Sequence, residues 1–210
     1  MLTLYDFEMA PSPRRARILL AEKAVPFTAI QVDLRQKEQL GDAFRAINPR
    51  CTVPALRLED GAILTDNAGI AAYLEATYPE PPMMGRTALE RAEVASWNAR
   101  IEMEGFMAIA EALRNSAPAM KDRALTGAVN YAQIPELAQR GLARAQQFFV
   151  ELDSHLAGRE FIATEGFSLA DITAVVALDF ARVVRIKPGD DHPNLIRWRK
   201  AMGERPSMAT

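Results

Sequence analysis

The 210-residue chain contains a single cysteine, Cys51, and only two histidines, His155 and His192. A lone thiol excludes an internal disulfide and fits a reducing compartment. One cysteine and two distant histidines give no ligand spacing for zinc or copper, so no metal is expected. No stretch approaches the roughly 18 consecutive apolar residues of a membrane span. The opening Met1-Leu2-Thr3-Leu4-Tyr5-Asp6 has no basic n-region, so no secretory signal is expected and a cytoplasmic location follows. Charge of one sign is also lacking: the net charge is −2 and neither half is basic. Neither nucleic acid nor a membrane surface is therefore an expected partner.

What remains is ordinary for a soluble protein, with 49% hydrophobic and 25% charged residues. Leu2 to Phe7 alternates and reads as a strand. Ser12-Pro13 then opens a helix running to about residue 24, with Ser12 as N-cap and Pro13 at the first helical position. Phe27 to Leu34 reads as a second strand, with Thr28, Ile30, Val32 and Leu34 as its more apolar face. A short helix is expected over residues 40–47. Val53 to Leu58 and Ala62 to Leu64 flank Glu59-Asp60-Gly61 as a hairpin, and a helix over Asn67 to Thr77 closes a β-α-β-α-β-β-α unit.

Tyr78-Pro79-Glu80-Pro81-Pro82-Met83-Met84-Gly85 cannot continue a helix and reads as a linker. Beyond it only helical patterns appear, first a long run from Thr87 to about Asn115 and then over 134–157, 168–185 and 193–203. The long run has two apolar faces. Val94, Trp97, Ile101 and Ala108 form one, and Met103, Phe106, Met107, Ala110 and Leu113 form the other, which predicts a helix enclosed on more than one side. In Ser168-Leu169-Ala170-Asp171, preceded by Phe167, Ser168 and Asp171 have capping-box spacing, and Phe167 and Ile172 are placed as a hydrophobic staple.

Asn48-Pro49-Arg50-Cys51-Thr52-Val53-Pro54-Ala55-Leu56, together with Leu64-Thr65-Asp66-Asn67-Ala68-Gly69-Ile70, resembles the glutathione-binding half of a cytosolic glutathione transferase. The Ser168–Ile172 segment, Pro193, Trp198 and Arg205-Pro206-Ser207 resemble the helical half of the same family. Pro13-Arg14-Arg15-Ala16-Arg17-Ile18 and Glu111-Ala112-Leu113-Arg114-Asn115-Ser116 are most similar to its bacterial and fungal Gtt2-like subgroup. The resemblance implies a thioredoxin-like α/β domain over residues 1–78, a linker over 79–86 and an all-α domain over 87–210. It also implies a homodimer and a role in detoxification.

Site residues follow from the same resemblance. Pro54 would be cis, and Val53, beside Thr52, would offer its N–H and C=O to the cysteinyl backbone of glutathione. Asp66 and Asn67 open a helix whose free N–H groups suit the γ-glutamyl carboxylate, with Asp66 pairing the α-ammonium. Asp66 as a plain N-cap is the alternative. Asn67 stands where the family usually has serine, and Cys51 where glycine is more usual. Gln39 falls near the glycyl end.

Ser12 is the expected catalytic hydroxyl. A thiol of pKa about 8.5 attacks as its thiolate, and lowering that value by 1–2 units takes about 1.4–2.7 kcal/mol of preferential stabilisation. A hydroxyl donor at a helix N-terminus supplies stabilisation of this kind. The alternatives are Ser12 as a simple cap, Tyr5 as the donor, or Arg114, Asn115 and Ser116 holding the thiolate or a water. Met103, Phe106 and Met107, with Tyr131, would line an apolar electrophile pocket. The expected function is conjugation of the glutathione thiolate to small, mostly apolar electrophiles. Glutathione-dependent peroxidase or isomerase chemistry, and a non-catalytic glutathione-binding protein, are the alternatives.

Overall fold

A computed structural model describes all 210 residues, Met1–Thr210. They divide into two compact units, one of Met1–Pro81 with Leu125–Asn130 and Thr210, the other of Pro82–Ala124 and Tyr131–Ala209.

The first unit contains β1 (Leu2–Asp6), α1 (Pro11–Glu22), β2 (Phe27–Gln31), α2 (Asp42–Arg45), β3 (Ala55–Arg57), β4 (Ile63–Leu64) and α3 (Asn67–Thr77). The sheet order is β2-β1-β3-β4, with β1 parallel to β2 and antiparallel to β3, and β3 antiparallel to β4. β1 is buried along its whole length, as a central strand covered on both faces must be. Tyr5 packs with Val32, Phe44 and Ala55, its ring edge-on to Phe44 at 6.0 Å. The hairpin turns where expected, with Gly61 at φ +91°, a conformation that glycine adopts without steric cost.

Three expectations need correction here. α1 begins at Pro11 with Ala10 as its N-cap, so Ser12 is the second helical residue and caps nothing. Pro11 suits the first helical position as well as Pro13 would, and the Ser12 oxygen accepts from Asn67 of α3 and from Arg15 of its own helix rather than from the N–H groups of the helix start. β2 ends at Gln31, and Thr28 and Ile30 are exposed while Val32 is buried. β2 is an edge strand paired only to β1, and every residue in it but half-buried Phe27 is exposed. α2 spans Asp42–Arg45 rather than 40–47, after a 3₁₀ turn over Glu38–Leu40.

The second unit is helical: α4 (Ala88–Arg100), α5 (Met107–Ser116), α6 (Pro135–His155), α7 (Leu169–Ala181) and α8 (Pro193–Gly203). Thr87 and Glu90 cap α4 reciprocally. A π-helical turn, Ile101–Phe106, joins α4 to α5 without a break, and Arg144 of α6 donates to the Met103 carbonyl within it at 2.7 Å. The long run is thus continuous, and its second face is covered in part: Phe106 is buried and Ala110 and Leu113 half-buried, but the two methionines are not covered. Met103 and Met107 are 65% and 56% exposed, whereas Val94, Ile101 and Ala108 are fully buried. The wider π turn shifts the register between the two halves, so one 3.6-residue period cannot describe both.

α7 is buried from Leu169 through Leu178 and forms the centre of this unit. The Asp171 carboxylate accepts from the Ser168 N–H at 3.0 Å, the Ser168 hydroxyl at 2.9 Å and the Ile162 N–H at 2.9 Å. Phe167 has Phe161 at 6.3 Å and the Arg205 guanidinium at 3.9 Å as its ring neighbours. α5 and α6 approach closely at Gly141, where an added Cβ would lie 2.6 Å from the Ala108 carbonyl oxygen and 2.7 Å from the Ala112 nitrogen.

Gly141→Ala is expected to destabilise the fold by about 1–3 kcal/mol in urea unfolding, because the obstacle is backbone and cannot swing aside. Burial pushes the Asp171 pKa up to about 6, against the opposing pull of its Ile162 and Ser168 hydrogen bonds. The folded chain therefore holds this proton more tightly than the unfolded chain, whose carboxyl titrates near 3.9. Stability from this group is complete below about pH 4 and is lost as pH rises through 6. The non-titrating Asp171→Asn variant should lose none of it. The stability difference between native protein and variant should therefore shift against the native protein by about 2 kcal/mol from pH 4 to pH 7.

Candidate functional site

Sheet topology gathers the candidate residues of the first unit. β3 runs antiparallel to both β1 and β4, so β1 and β4 point the same way and the start of β3 lies at the end where they finish. Ser12 follows β1, Val53-Pro54 precedes β3, and Asp66-Asn67 follows β4. All three groups therefore sit at one end of the sheet.

The Ser12 hydroxyl is half-buried and held by two donors. The Asn67 amide Nδ2 donates to the Ser12 Oγ at 3.0 Å and to its carbonyl at 3.1 Å. The Arg15 guanidinium reaches the same Oγ at 3.4 Å. With both lone pairs of Oγ facing donors, its own hydrogen is directed to some other acceptor. Hydrogen bonds accepted by a hydroxyl also strengthen it as a donor. Pro11 and Pro13 carry no N–H, so Ser12 has the only backbone donor among the first three residues of α1.

Asp66 caps α3 by accepting from the Gly69 N–H at 2.8 Å through Oδ1. The N–H groups of Asn67 and Ala68 remain as the unfilled donors of the helix start. The Asn67 side chain, expected to face a ligand carboxylate, has both amide hydrogens on Ser12 instead.

The Val53–Pro54 peptide is cis, as the resemblance implied. Val53, in the bend just before Pro54, joins no backbone hydrogen bond through its N–H or C=O. The loop before it is fixed by fully buried Asn48, whose amide donates to the Thr52 carbonyl at 2.7 Å and its Oγ1 at 3.2 Å, while its Oδ1 accepts from the Arg50 N–H at 3.0 Å. Cys51 is buried and left-handed at φ +57°. That backbone explains why glycine suits this position. The Gln39 Oε1 is buried with no hydrogen-bond partner. Tyr5, 5% exposed, lies in the hydrophobic cluster under the sheet.

In the helical unit, the cluster at the end of α5 is occupied by its own fold. Arg114 donates to the Arg123 carbonyl at 2.8 Å, and burial, reinforced by Arg123, holds its pKa below the usual arginine value. The Asn115 amide donates to the Glu111 carbonyl at 2.9 Å and its oxygen accepts from the Ile134 N–H at 2.9 Å. The Ser116 hydroxyl turns back to the Ala112 carbonyl at 2.7 Å. Phe106 is buried and stacked on Phe180 at 5.6 Å, beside exposed Met103 and Met107. Tyr131 is 49% exposed.

Reading by residue type missed two features: the Asn67–Ser12 pair and the approach of Arg15. The first joins side chains 55 residues apart, with no local signal. The second had one available signal, the three-residue spacing from Ser12 to Arg15 on one helix face.

A family model described as the glutathione S-transferase N-terminal domain matches residues 10–77, and one described as the glutathione S-transferase C-terminal domain matches residues 117–206. The chain is 30% identical over 211 residues to glutathione S-transferase 2 of Saccharomyces cerevisiae, covering 99% of this chain and 88% of that protein. It is similar to the crystal structure of Gtt2 from Saccharomyces cerevisiae, with a TM-score of 0.90, 30% identity, and coverage of 99% of this chain and 98% of that one. It is also similar to a glutathione transferase homologue from Sulfitobacter solved with bound glutathione, with a TM-score of 0.80, 25% identity, and coverage of 100% and 95%.

Asn67→Ala removes both bonds to Ser12 and should lower stability by about 1–2 kcal/mol, measured as a shift in urea midpoint at constant slope.

Proposed function

The chain belongs to the glutathione S-transferase family, and we propose that it binds glutathione in its first unit and directs the thiolate onto small, mostly apolar electrophiles. The observation that carries this reading is the Ser12 hydroxyl, with its lone pairs facing Asn67 and Arg15 and its hydrogen left to donate. In this reading the peptide runs along Val53, whose N–H and C=O pair with the cysteinyl backbone as one strand pairs with another. Thr52 and Pro54 fix the direction of Val53, and Gln39 serves the glycyl end. The γ-glutamyl carboxylate takes the Asn67 and Ala68 N–H groups, and the ammonium takes the outer oxygen of Asp66.

The cysteinyl sulfur then lies over the head of α1. Ser12 donates to the thiolate, and the positive end of the helix adds to the stabilisation. A hydrogen bond to a charged group contributes about 1.5–3 kcal/mol, enough for a depression of 1–2 pKa units. The thiolate forms a C–S bond to the electrophilic carbon, and the electron pair leaves with the displaced group or is protonated after addition. Met103 and Met107 supply exposed, adaptable apolar surface for that second substrate, over the buried Phe106. Homodimeric assembly, a cytoplasmic location and a detoxifying role belong to the same reading, supported by family membership and by the single buried thiol.

The test follows the ultraviolet absorbance of bound thiolate across pH. Native protein should hold glutathione with a thiol pKa about 1–2 units below the free value, and Ser12→Ala should return most of that shift and slow conjugation about 10- to 100-fold. An unmoved pKa in Ser12→Ala would overturn Ser12 as the donor and leave Arg114, Asn115 and Ser116 as the residues to replace.

A further inference from the structure

Residues 7–10 connect β1 to α1, and the position of Ser12 depends on how they are held. Glu8 and Met9 in this connection are exposed, with Met9 75% exposed, so burial does little to fix it. Its backbone is nevertheless gripped on both sides. The Glu8 N–H donates to the Gln31 Oε1 at 3.0 Å, and the Glu8 carbonyl accepts from the Arg17 guanidinium at 2.9 Å. The same two side chains meet on one carboxylate. Arg17 donates to the Asp6 Oδ1 at 2.5 Å, and the Gln31 amide donates to the Asp6 Oδ2 at 3.1 Å.

These four bonds close a ring through Glu8, Gln31, Asp6 and Arg17. Each side of it rests on a different element. Asp6 ends β1, Gln31 lies opposite Asp6 in the register of β2, and Arg17 is five residues beyond Ser12 on α1. The ring therefore fixes both the path of the connection and the rotation of α1 about its axis. Asp6 and Arg17 are 1% and 8% exposed. A buried ion pair contributes little net stability because desolvation offsets the attraction. Four bonds in fixed directions, in contrast, define a geometry.

We infer that Asp6, Arg17 and Gln31 are positioning residues that hold the β1–α1 connection so that the Ser12 hydroxyl faces the glutathione sulfur. The inference rests on the reading of Ser12 as the donor. A misplaced hydroxyl gives a longer, less linear bond to sulfur, and catalytic steps are sensitive to displacements below 1 Å.

Gln31 separates a positioning role from a merely structural one, because it is exposed on an edge strand and its loss leaves the Asp6–Arg17 pair intact. Gln31→Ala should unfold at nearly the native temperature, bind glutathione with KM changed by less than about twofold, and lose about 3- to 10-fold in kcat. The thiol pKa of bound glutathione should rise part of the way toward the Ser12→Ala value. Gln31→Glu keeps the acceptor for the Glu8 N–H but sets a second carboxylate against Asp6, and should shift the pKa in the same direction. A native thiol pKa and kcat in both Gln31 variants, with Ser12→Ala still raising the pKa, would overturn the positioning role alone. A Ser12→Ala variant with an unmoved pKa would overturn the donor assignment and this inference with it.

Discussion

The paired hydrogen bonds from the Asn67 amide to Ser12 are the constraint that makes one site of two helix heads. They depend on the spacing of the sheet. β1 and β4 are separated by β3, two inter-strand steps of about 4.8 Å, and that distance of roughly 10 Å is close to the separation of two packed helices. α1 after β1 and α3 after β4 can therefore run side by side from the same end of the sheet, and they pack on each other. A serine usual at position 67 is too short to reach both Ser12 oxygens in this way, whereas the asparagine amide spans them. The cost is that its hydrogens are no longer available to a ligand. On the proposed reading, carboxylate recognition then falls on backbone N–H groups alone.

Features set by neighbours in sequence were legible. α3 spans Asn67–Thr77 as expected, and the Gly61 hairpin and the capping carboxylate of Asp171 lie where their local patterns put them. In each case the deciding contact is within a few residues. Features set by distant partners were not legible. Ser12 has every property of an N-cap, yet the chain caps α1 at Ala10, because the hydroxyl finds its donors on α3 and on Arg15. The alternation from Phe27 to Leu34 read as one strand, but pairing with β1 ends at Gln31, and nothing in the local pattern marks that end. The long helical run was correct in extent, while the π turn at Ile101–Phe106 has no composition of its own. The alternatives at the site divide the same way. Arg114, Asn115 and Ser116 are polar and near the end of a helix, and only coordinates show each hydrogen-bonded to nearby main chain.

The loop from Asn48 to Pro54 shows how strain is tolerated beside a site. Cys51 occupies a left-handed backbone where a side chain costs about 1–2 kcal/mol relative to glycine. Two contributions offset it. Its side chain is buried, and Asn48 fixes the loop on either side of it through the Arg50 N–H and the Thr52 carbonyl. A loop held this firmly places Val53, whose main-chain groups join no backbone hydrogen bond, without help from a ligand. Preorganisation of that kind lowers the ordering cost of binding a flexible tripeptide.

The start of α1 shows the same economy applied to charge. An ordinary helix head spreads its positive character over several free N–H groups. Here prolines at the first and third positions remove two of them, so the first turn presents the Ser12 N–H and the Ser12 hydroxyl together. Arg15, one turn on, adds formal positive charge toward the same oxygen. An anion approaching this helix end meets one residue that concentrates what the helix can offer. That focus has value only if Ser12 stays in place, since no neighbouring N–H can substitute when it moves. The proposed ring of Asp6, Gln31 and Arg17 around Glu8 supplies the missing redundancy, by fixing the connection on the far side of Ser12 from Asn67. A single donor with two independent anchors, one on each side in sequence, is what a site built on one hydroxyl requires.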